Sequence, residues 1–274
     1  MTTLPRPLPH TLPHTLPSLF ISHGAPPFAL EPGRAGALLQ EAGRKLPAVQ
    51  AVLLVSPHWM TSGFRVMATE KPTTLIDFGG FDPRLNDVVY PAPGHPALAA
   101  VTAQLLQSHG QHGQRVELDT ERGFDHGAWV PLLHLLPKAD VPVFQLSMPH
   151  DLTPQGAFEL GQMLQPLSEQ GVLIVGSGSI THNLQEFRLN GQDEAAYAKE
   201  FVAWVRDKAM KHDTQALIST ATQAPHAARA HPTDEHYLPL LVALGAARRG
   251  AKLEVLDGGF TYGVIGMESY IWQP

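Results

Sequence analysis

Three short apolar runs, each followed by a histidine, are the feature of this sequence that most restricts its fold. SLFIS precedes His23, AVLLVSP precedes His58, and VLIV followed by the turn GSGSIT precedes His182. Apolar runs of this length are typical of strands that are buried on both faces of a parallel sheet. Ligands of open α/β sheets bind outside the carboxyl ends of such strands. The pattern therefore predicts an α/β fold in which the three histidines meet at one site.

Further strands and helices are predicted around these runs. Strands are expected at residues 19–22, 51–56, 64–69, 116–118, 141–147, 172–175, 252–257 and 260–272. Helices are expected at residues 34–46, 95–108, 126–136, 153–169 and 193–211 and in part over 213–230, and a last helix is expected to begin within 230–236 and to run to about 245. We expect Thr233 or Asp234 to cap the last of these helices.

The first 17 residues differ from the rest of the chain in their proline content. They contain the repeat LPHTLPHTLP, and proline at this density excludes helices and central strands. We therefore predict a Pro-rich flexible tail over residues 1–17, whose His10 and His14 are not expected to bind metal. No linker or change in composition follows the tail, so residues 18–274 are predicted to form one domain.

Composition restricts the classes of function. The formal net charge is −6 and no Lys/Arg run occurs, which argues against binding to nucleic acid or to an anionic membrane surface. Cysteine is absent, so a metal site must use His, Asp, Glu or water. No apolar stretch reaches the ~18 residues of a membrane span, and the proline-rich start lacks the apolar region of a signal peptide. We expect a soluble cytoplasmic protein.

The candidate site residues are five histidines and one glutamate: His23, His58, His126, His182, His236 and Glu235. Three or four imidazoles without sulfur suit zinc, iron(II), manganese or copper. Glu235 and His236 are neighbours at a predicted helix start, where their side chains diverge by about 100°, so one of the two is expected to face the metal. His126 begins a predicted helix, whose dipole favours a neutral imidazole that can accept a proton. The remaining histidines of note are expected to be ordinary core or surface residues: His134, His150, His226 and His231.

Residues 72–94 combine aromatic and turn-forming residues with little periodicity. Long irregular segments in compact domains are often functional, and this aromatic content argues against disorder. We interpret the segment as a wall or lid of the site.

Longer motifs around these residues resemble those of the class III extradiol ring-cleavage dioxygenases, in particular the bacterial and plant DOPA 4,5-dioxygenase subfamily. The motifs are FISHG, VSPHW, DFGGF, YPAPG, GFDHGAWVPL, GSGSITHNL and HPTDEHYLPLLVALGAA. They span residues 19–247 in the order in which the subfamily shows them. The resemblance implies a central mixed sheet flanked by helices, with residues 18–274 as the catalytic domain.

The resemblance also implies the roles of the site residues. The metal ligands would be His23, His58, His182 and His236, and His126 would be the catalytic acid/base. The wider class uses two histidines and one carboxylate, so Glu235 remains an alternative to His236, and His182 could instead face the substrate as a base. Fe(II) would be the functional metal, with Zn(II) able to replace it in the isolated protein.

The implied reaction opens the ring of a catechol such as DOPA with O2, beside one of the two hydroxyls. The substrate ring would be flanked by aromatic residues, for which the sequence offers Trp59, Phe78, Phe81, Tyr90 and Trp129. Two other functions are compatible with a histidine cluster. A zinc-dependent hydrolase is one, although the H-E-x-x-H motif is absent. A non-enzymatic binding module on the same fold is the other, although such a relative would be expected to have lost site histidines.

Overall fold

The computed structural model describes residues 15–109, 116–187 and 193–274. Its strands are β1 (Ser18–Ser22), β2 (Ala51–Thr61), β3 (Arg65–Met67), β4 (Glu117–Asp119), β5 (Val143–Pro149), β6 (Val172–Gly178), β7 (Lys252–Leu256), β8 (Phe260–Thr261), β9 (Ile265–Gly266) and β10 (Ser269–Gln273). Its helices are α1 (Gly33–Lys45), α2 (Pro96–His109), α3 (His126–Leu135), α4 (Pro154–Ser168), α5 (Ala196–Met210), α6 (Thr214–Ile218), α7 (Thr220–Gln223), α8 (Ala227–Ala230) and α9 (Leu238–Ala246). Short 3-10 helices cover Pro26–Ala29, Pro83–Asp87 and Leu184–Glu186.

A mixed sheet forms the centre of the molecule, as predicted. Its strand order is β4-β3-β5-β2-β6-β1-β10-β7. The four neighbours β5, β2, β6 and β1 are parallel, whereas β10 and β7 continue the sheet in antiparallel pairing. Strands β1 and β6 are buried along their whole length, which explains their continuous apolar sequence. Since β1, β6 and β2 are adjacent and parallel, their carboxyl ends lie at one edge.

Strand β2 is longer than the sequence predicts. It continues to Thr61, and its pairing with β5 shifts register between Val55 and Met60. Proline lacks an amide hydrogen and is tolerated in sheets at such irregularities, which accounts for Pro57. His58 therefore lies within the irregular part of a strand rather than after the end of one.

Two predictions for the last third of the chain are wrong in detail. The expected strand over 260–272 is divided into β8, β9 and β10, because Tyr262 and Gly263 have φ values of 54° and 75° and reverse the chain between β8 and β9. The helix expected to begin within residues 230–236 begins at Leu238, so neither Thr233 nor Asp234 caps it. The residues before it form turns, and these turns carry Glu235 and His236.

Close packing brings the start of α9 against the end of β6. A methyl group at Gly176 would overlap the carbonyl oxygen of Pro239, and one at Gly178 would overlap that of His236. The amide of Ser179 also donates a hydrogen bond to the carbonyl of His236, at 2.9 Å. Glycine in β6 thus allows His236 to lie beside the carboxyl end of the sheet.

No helix among residues 15–109, 116–187 and 193–274 is long and apolar enough to cross a membrane.

The proposed tail lies mainly in residues 1–14, outside the described residues. At its end, Leu16 is 3% exposed and its amide donates to the carbonyl of Ser168 at 3.2 Å.

We therefore expect deletion of residues 1–14 to leave the melting temperature and the bound metal unchanged, because Leu16 is retained. Thermal unfolding and metal analysis check this result. A deletion that also removes Leu16 serves as the comparison and should lower the melting temperature, since it exposes buried apolar surface. A large fall in the shorter deletion would show that residues 1–14 belong to the folded domain.

Candidate metal centre

Five histidines lie close together at the carboxyl edge of the sheet. His23 follows β1 directly, His58 lies in the irregular part of β2, and His126 is the first residue of α3. His182 follows β6 after a short turn, and His236 lies in the turn before α9. The ring of His23 is 5.1 Å from that of His58, 5.7 Å from that of His126 and 5.5 Å from that of His236. The five predicted histidines therefore meet, although they come from five separate segments.

Three of these histidines have the arrangement that a single metal ion needs. One ring nitrogen from each of His23, His58 and His236 lies within 4.8 Å of the others. The Nε2 atoms of His23 and His58 are 3.2 Å apart. Two nitrogens that each lie about 2.1 Å from one metal ion are separated by roughly 3.0–3.4 Å. The Nε2 atom of His236 is buried and has no hydrogen-bond partner among residues 15–109, 116–187 and 193–274. The residues present therefore fit a metal ion.

Hydrogen bonds to the opposite ring nitrogens orient two of these histidines. Nδ1 of His23 lies 3.0 Å from the hydroxyl oxygen of Ser177, and that hydroxyl donates its own hydrogen to the carbonyl of Gly127. Ser177 must then accept from His23. Nδ1 of His236 donates to Oε1 of Glu235 at 2.9 Å. With the hydrogen on Nδ1, the Nε2 lone pair of each ring is free for a metal. In this geometry the Nε2 atom of His236 is available as a ligand atom, and Glu235 accepts a hydrogen bond from the opposite nitrogen of the same ring.

Burial keeps the three imidazoles neutral. It lowers the pKa of His23 and of His236 well below the usual value, and the neighbouring histidines lower both further. Burial, followed by the proximity of His126, lowers the pKa of His58 to about 4. Neutral imidazole is the form that binds metal ions, so the cluster is ready for a cation at neutral pH.

His182 lies against His236 and not in the same group as His23 and His58. The rings of His182 and His236 are stacked, with centroids 3.4 Å apart and planes at 9°. The two ring planes are nearly parallel and separated, so one metal ion cannot lie in both planes, as coordination by the in-plane lone pairs of both rings would require. One ligand atom each from His182, Glu235 and His236 forms a second cluster. The role of His182 as a fourth ligand stays a prediction.

Asp77 orients His126, a contact that the sequence analysis did not foresee. Its Oδ1 accepts hydrogen bonds from Nδ1 of His126 at 2.9 Å and from the His126 amide at 3.1 Å. Burial works to raise the pKa of Asp77, but the hydrogen bonds from His126 outweigh it and keep the pKa below its usual value. Asp77 is the first residue of the DFGGF motif and lies in the segment 72–94, which the sequence analysis interprets as a wall or lid of the site. Only the folded chain shows which side chain Asp77 meets.

The aromatic residues expected to flank a substrate divide into two groups. Phe78 lies edge-on to His126, with ring centroids 5.5 Å apart, and Phe81 packs against Phe78. Trp129 is fully buried, and its indole N–H donates a hydrogen bond to the carbonyl oxygen of Leu75. The hydroxyl of Tyr90 donates a hydrogen bond to the carbonyl oxygen of Leu136. Trp59 is buried beneath the guanidinium of Arg122. Phe78 thus adjoins the site, whereas Trp129, Tyr90 and Trp59 are packing residues.

A buried carboxylate supports the site from behind. Asp125 is fully buried and precedes His126. It accepts hydrogen bonds from Ser56 at 2.7 Å, from Gln145 at 2.7 Å and from Arg122 at 3.1 Å. Arg122 also donates to the carbonyl of His58, at 3.2 Å. Asp125 thereby connects the strand that carries His58 to the helix that begins with His126.

Replacement of Asp125 with asparagine is expected to destabilise the fold by about 3 kcal/mol. Removal of one partner from a buried ion pair costs about 3–5 kcal/mol, and the partial exposure of Arg122 places this case at the lower end. Chemical denaturation measures the change. The matched control is Asp82→Asn, which breaks an exposed pair with Arg84 and should leave the unfolding curve nearly unchanged. Equal curves for the two variants would contradict the proposed role of Asp125.

The four histidines predicted to be ordinary core or surface residues lie outside the three groups of potential metal ligands found among the described residues. His134 is buried and its Nε2 contacts the carbonyl of Phe28, and Nε2 of His226 contacts Glu200 at 2.8 Å. His231 bonds to the carbonyl of Ile180, and His150 is exposed.

An α/β fold with a histidine cluster at the carboxyl edge of its mixed sheet is typical of a metal-dependent enzyme, and the comparisons with known proteins identify the family. Residues 19–272 match the model of the catalytic LigB subunit of aromatic ring-opening dioxygenase. The chain belongs to this family and is an extradiol ring-opening dioxygenase. The match does not favour the alternatives of a hydrolase or a binding module.

Two curated relatives are named 4,5-DOPA dioxygenase extradiol. The protein from Beta vulgaris is 37% identical over 258 residues, which cover 92% of this chain and 95% of the relative. The protein from Escherichia coli K12 is 37% identical over 257 residues, with coverage of 92% and 93%. The crystal structure of an uncharacterized protein from Escherichia coli K12 matches with a TM-score of 0.76 and 32% identity, and covers 93% of this chain and 99% of the other.

Proposed function

We propose that this dioxygenase uses Fe(II) and O2 to open the ring of a catechol of the DOPA type. The observation that carries the proposal is the convergence of ring nitrogens from His23, His58 and His236, including a buried Nε2 to which no group in the described part of the chain hydrogen-bonds. The names of the curated relatives support DOPA as the first substrate to test. An all-nitrogen donor set accepts several metals, and we propose Fe(II) because it is redox-active and would supply the chemistry of dioxygen.

In this proposal the metal is held by His23, His58 and His236, with Glu235 orienting His236. His182 is adjacent and is proposed to face the substrate. Its pKa is lowered by burial, so it is neutral and can accept a proton from a catechol hydroxyl.

His126 is proposed as the acid/base. Its Nδ1 donates to Asp77, so Nε2 is the nitrogen left to exchange a proton with the substrate. Asp77 fixes this tautomer and the ring orientation, and it would stabilise the imidazolium that forms when Nε2 accepts a proton. The edge of Phe78 lies beside the same ring and offers an apolar wall to an aromatic substrate.

Reconstitution with Fe(II) without oxygen, followed by addition of DOPA and air, tests the proposal. We expect oxygen consumption in equal amount to DOPA and a yellow ring-opened product. Tyrosine, which has one ring hydroxyl, is the matched control substrate and should consume no oxygen. Zinc-loaded protein is the matched control for the metal. Turnover of other catechols but not of DOPA would overturn the substrate, whereas equal activity with zinc would overturn the metal.

A further inference from the structure

A proline inside α3 leaves one backbone carbonyl of the helix without its regular donor. The proline is Pro131, and it lies five residues after the first residue of the helix, His126. In an α-helix the amide of residue i+4 donates to the carbonyl of residue i, but proline has no amide hydrogen. The carbonyl of Gly127, four residues before Pro131, is buried and therefore requires a donor from another part of the chain.

Ser177 supplies this donor, which fixes the direction of its hydroxyl hydrogen. Ser177 is fully buried in β6, and its hydroxyl donates a hydrogen bond to the carbonyl of Gly127. A hydroxyl has one hydrogen, so the same oxygen can only accept from its second partner, Nδ1 of His23 at 3.0 Å. His23 must then carry its ring hydrogen on Nδ1, which leaves the lone pair of Nε2 for a metal.

The other tautomer of His23 would also find a partner. Nε2 of His23 lies 3.2 Å from Nε2 of His58. If His23 carried its hydrogen on Nε2, it could donate that hydrogen to His58 and so occupy the lone pair of His58 as well. An imidazole binds a metal through a nitrogen that carries no hydrogen. The tautomer of His23 therefore decides whether these two nitrogens are available to a cation or are bonded to each other.

We propose that Pro131 and Ser177 together select the metal-binding tautomer of His23, with Ser177 as a positioning residue. This inference rests on the proposed role of His23 as a metal ligand. Pro131 leaves the carbonyl of Gly127 to the hydroxyl of Ser177, and that hydroxyl keeps the hydrogen of His23 on Nδ1. The same bond joins β6 to the first turn of α3, which begins with His126. The metal ligand and the proposed acid/base thus share one support.

Nitrogen NMR of the full-length protein without metal tests the tautomer directly, because protonated and unprotonated nitrogens of a neutral imidazole have different chemical shifts. The signals of His23 are assigned by their loss in His23→Gln. We expect the hydrogen on Nδ1 in the unaltered protein. In Ser177→Ala we expect it on Nε2, because Nδ1 has lost its acceptor and Nε2 can donate to His58. A hydrogen on Nε2 in the unaltered protein would overturn the proposal, whether or not the variant folds.

Ser18→Ala is the matched control for Ser177→Ala. It also removes a buried hydroxyl that donates to a backbone carbonyl, that of Ala243 at 2.8 Å, but it does so at the other end of β1. Both variants lose one buried hydrogen bond of the same kind, so a general loss of stability affects both. We expect Ser18→Ala to keep the hydrogen of His23 on Nδ1. A change of tautomer in both variants would show that Ser177 has no specific role.

Titration with Fe(II) without oxygen gives a second readout. Ser177→Ala should bind iron about 10–100-fold more weakly than the unaltered protein, which is the usual cost of losing the partner that orients a metal-binding histidine. Ser18→Ala should bind iron as the unaltered protein does. Unchanged affinity in a folded Ser177→Ala overturns the role of Ser177. If the unaltered protein binds no iron, the proposed metal centre fails instead, and the NMR result still decides the tautomer.

Pro131→Ala tests the origin of the effect. The new amide can donate to the carbonyl of Gly127, so the hydroxyl of Ser177 becomes free to turn toward His23 and the affinity for iron should fall, although less than in Ser177→Ala. Pro166→Ala, which replaces an exposed proline inside α4, is the matched control and should leave the affinity unchanged. Unchanged affinity in a folded Pro131→Ala overturns the role of Pro131.

Discussion

Replacement of His126 with phenylalanine is expected to leave the metal bound and to lower turnover by about 10²–10⁴-fold, the usual contribution of a positioned proton-transfer group. Phenylalanine keeps a ring of similar size beside His58, whose ring is 3.8 Å from that of His126. It cannot exchange a proton or bond to Asp77. The variant therefore separates proton transfer from metal binding.

Metal analysis and steady-state kinetics of His126→Phe measure the two effects. His150→Phe, a substitution at an exposed histidine outside the site, is the control and should behave as the unaltered enzyme. Loss of the metal in step with activity would mean that His126 coordinates it. His58, Asp77 and His126 do form a group of potential ligands, so this outcome has a definite structural alternative. Unchanged turnover would move the acid/base role to His182.

Replacement of His236 with alanine is expected to reduce bound iron from about one ion per chain to nearly none. The variant removes the Nε2 atom that is unpaired within the described residues. It leaves two imidazoles, fewer than the three protein ligands of a typical catalytic site. Replacement of His58 with alanine should have the same result for the same reason.

Glu235→Gln is the matched comparison for His236→Ala. Loss of a carboxylate that supports a metal-binding histidine costs about 10–100-fold in metal affinity, so this variant should still bind a full equivalent at saturating iron. Titration with Fe(II) without oxygen distinguishes the two. If Glu235→Gln cannot be loaded and His236→Ala can, the carboxylate is the ligand. If both His23→Ala and His58→Ala keep a full equivalent, the metal centre itself is misplaced.

The short-range features of the site were predictable, because they depend on patterns within a few residues. The apolar runs before His23 and His182 correspond to buried strands, and His126 does begin a helix. The resemblance to known motifs added the order and the expected roles. The bulge that keeps His58 within β2 was not predictable, since an apolar run followed by proline fits the end of a strand equally well.

Contacts between distant segments could not be derived from the sequence. Asp77 and His126 are 49 positions apart and meet through a segment without periodicity. Asp125 collects partners from two strands and from Arg122, and no spacing reveals that set. The turn before α9 packs closely against the glycines of β6. Because this is a tertiary contact, the start of α9 could not be predicted from local sequence.

The position of β1 in the sheet has a consequence for how the chain acquires its fold. β1 pairs with β6 on one side and with β10 on the other, so both of its partners are synthesised long after it. A ribosome that has made only the first two thirds of the protein therefore exposes an apolar β1 with one edge open. That edge closes when Ser269–Gln273 emerges, by which time His236 is also available. Completion of the sheet thus needs Ser269–Gln273 and the proposed metal centre needs His236, so a chain that terminates before His236 would be an aggregation-prone product without the proposed metal site.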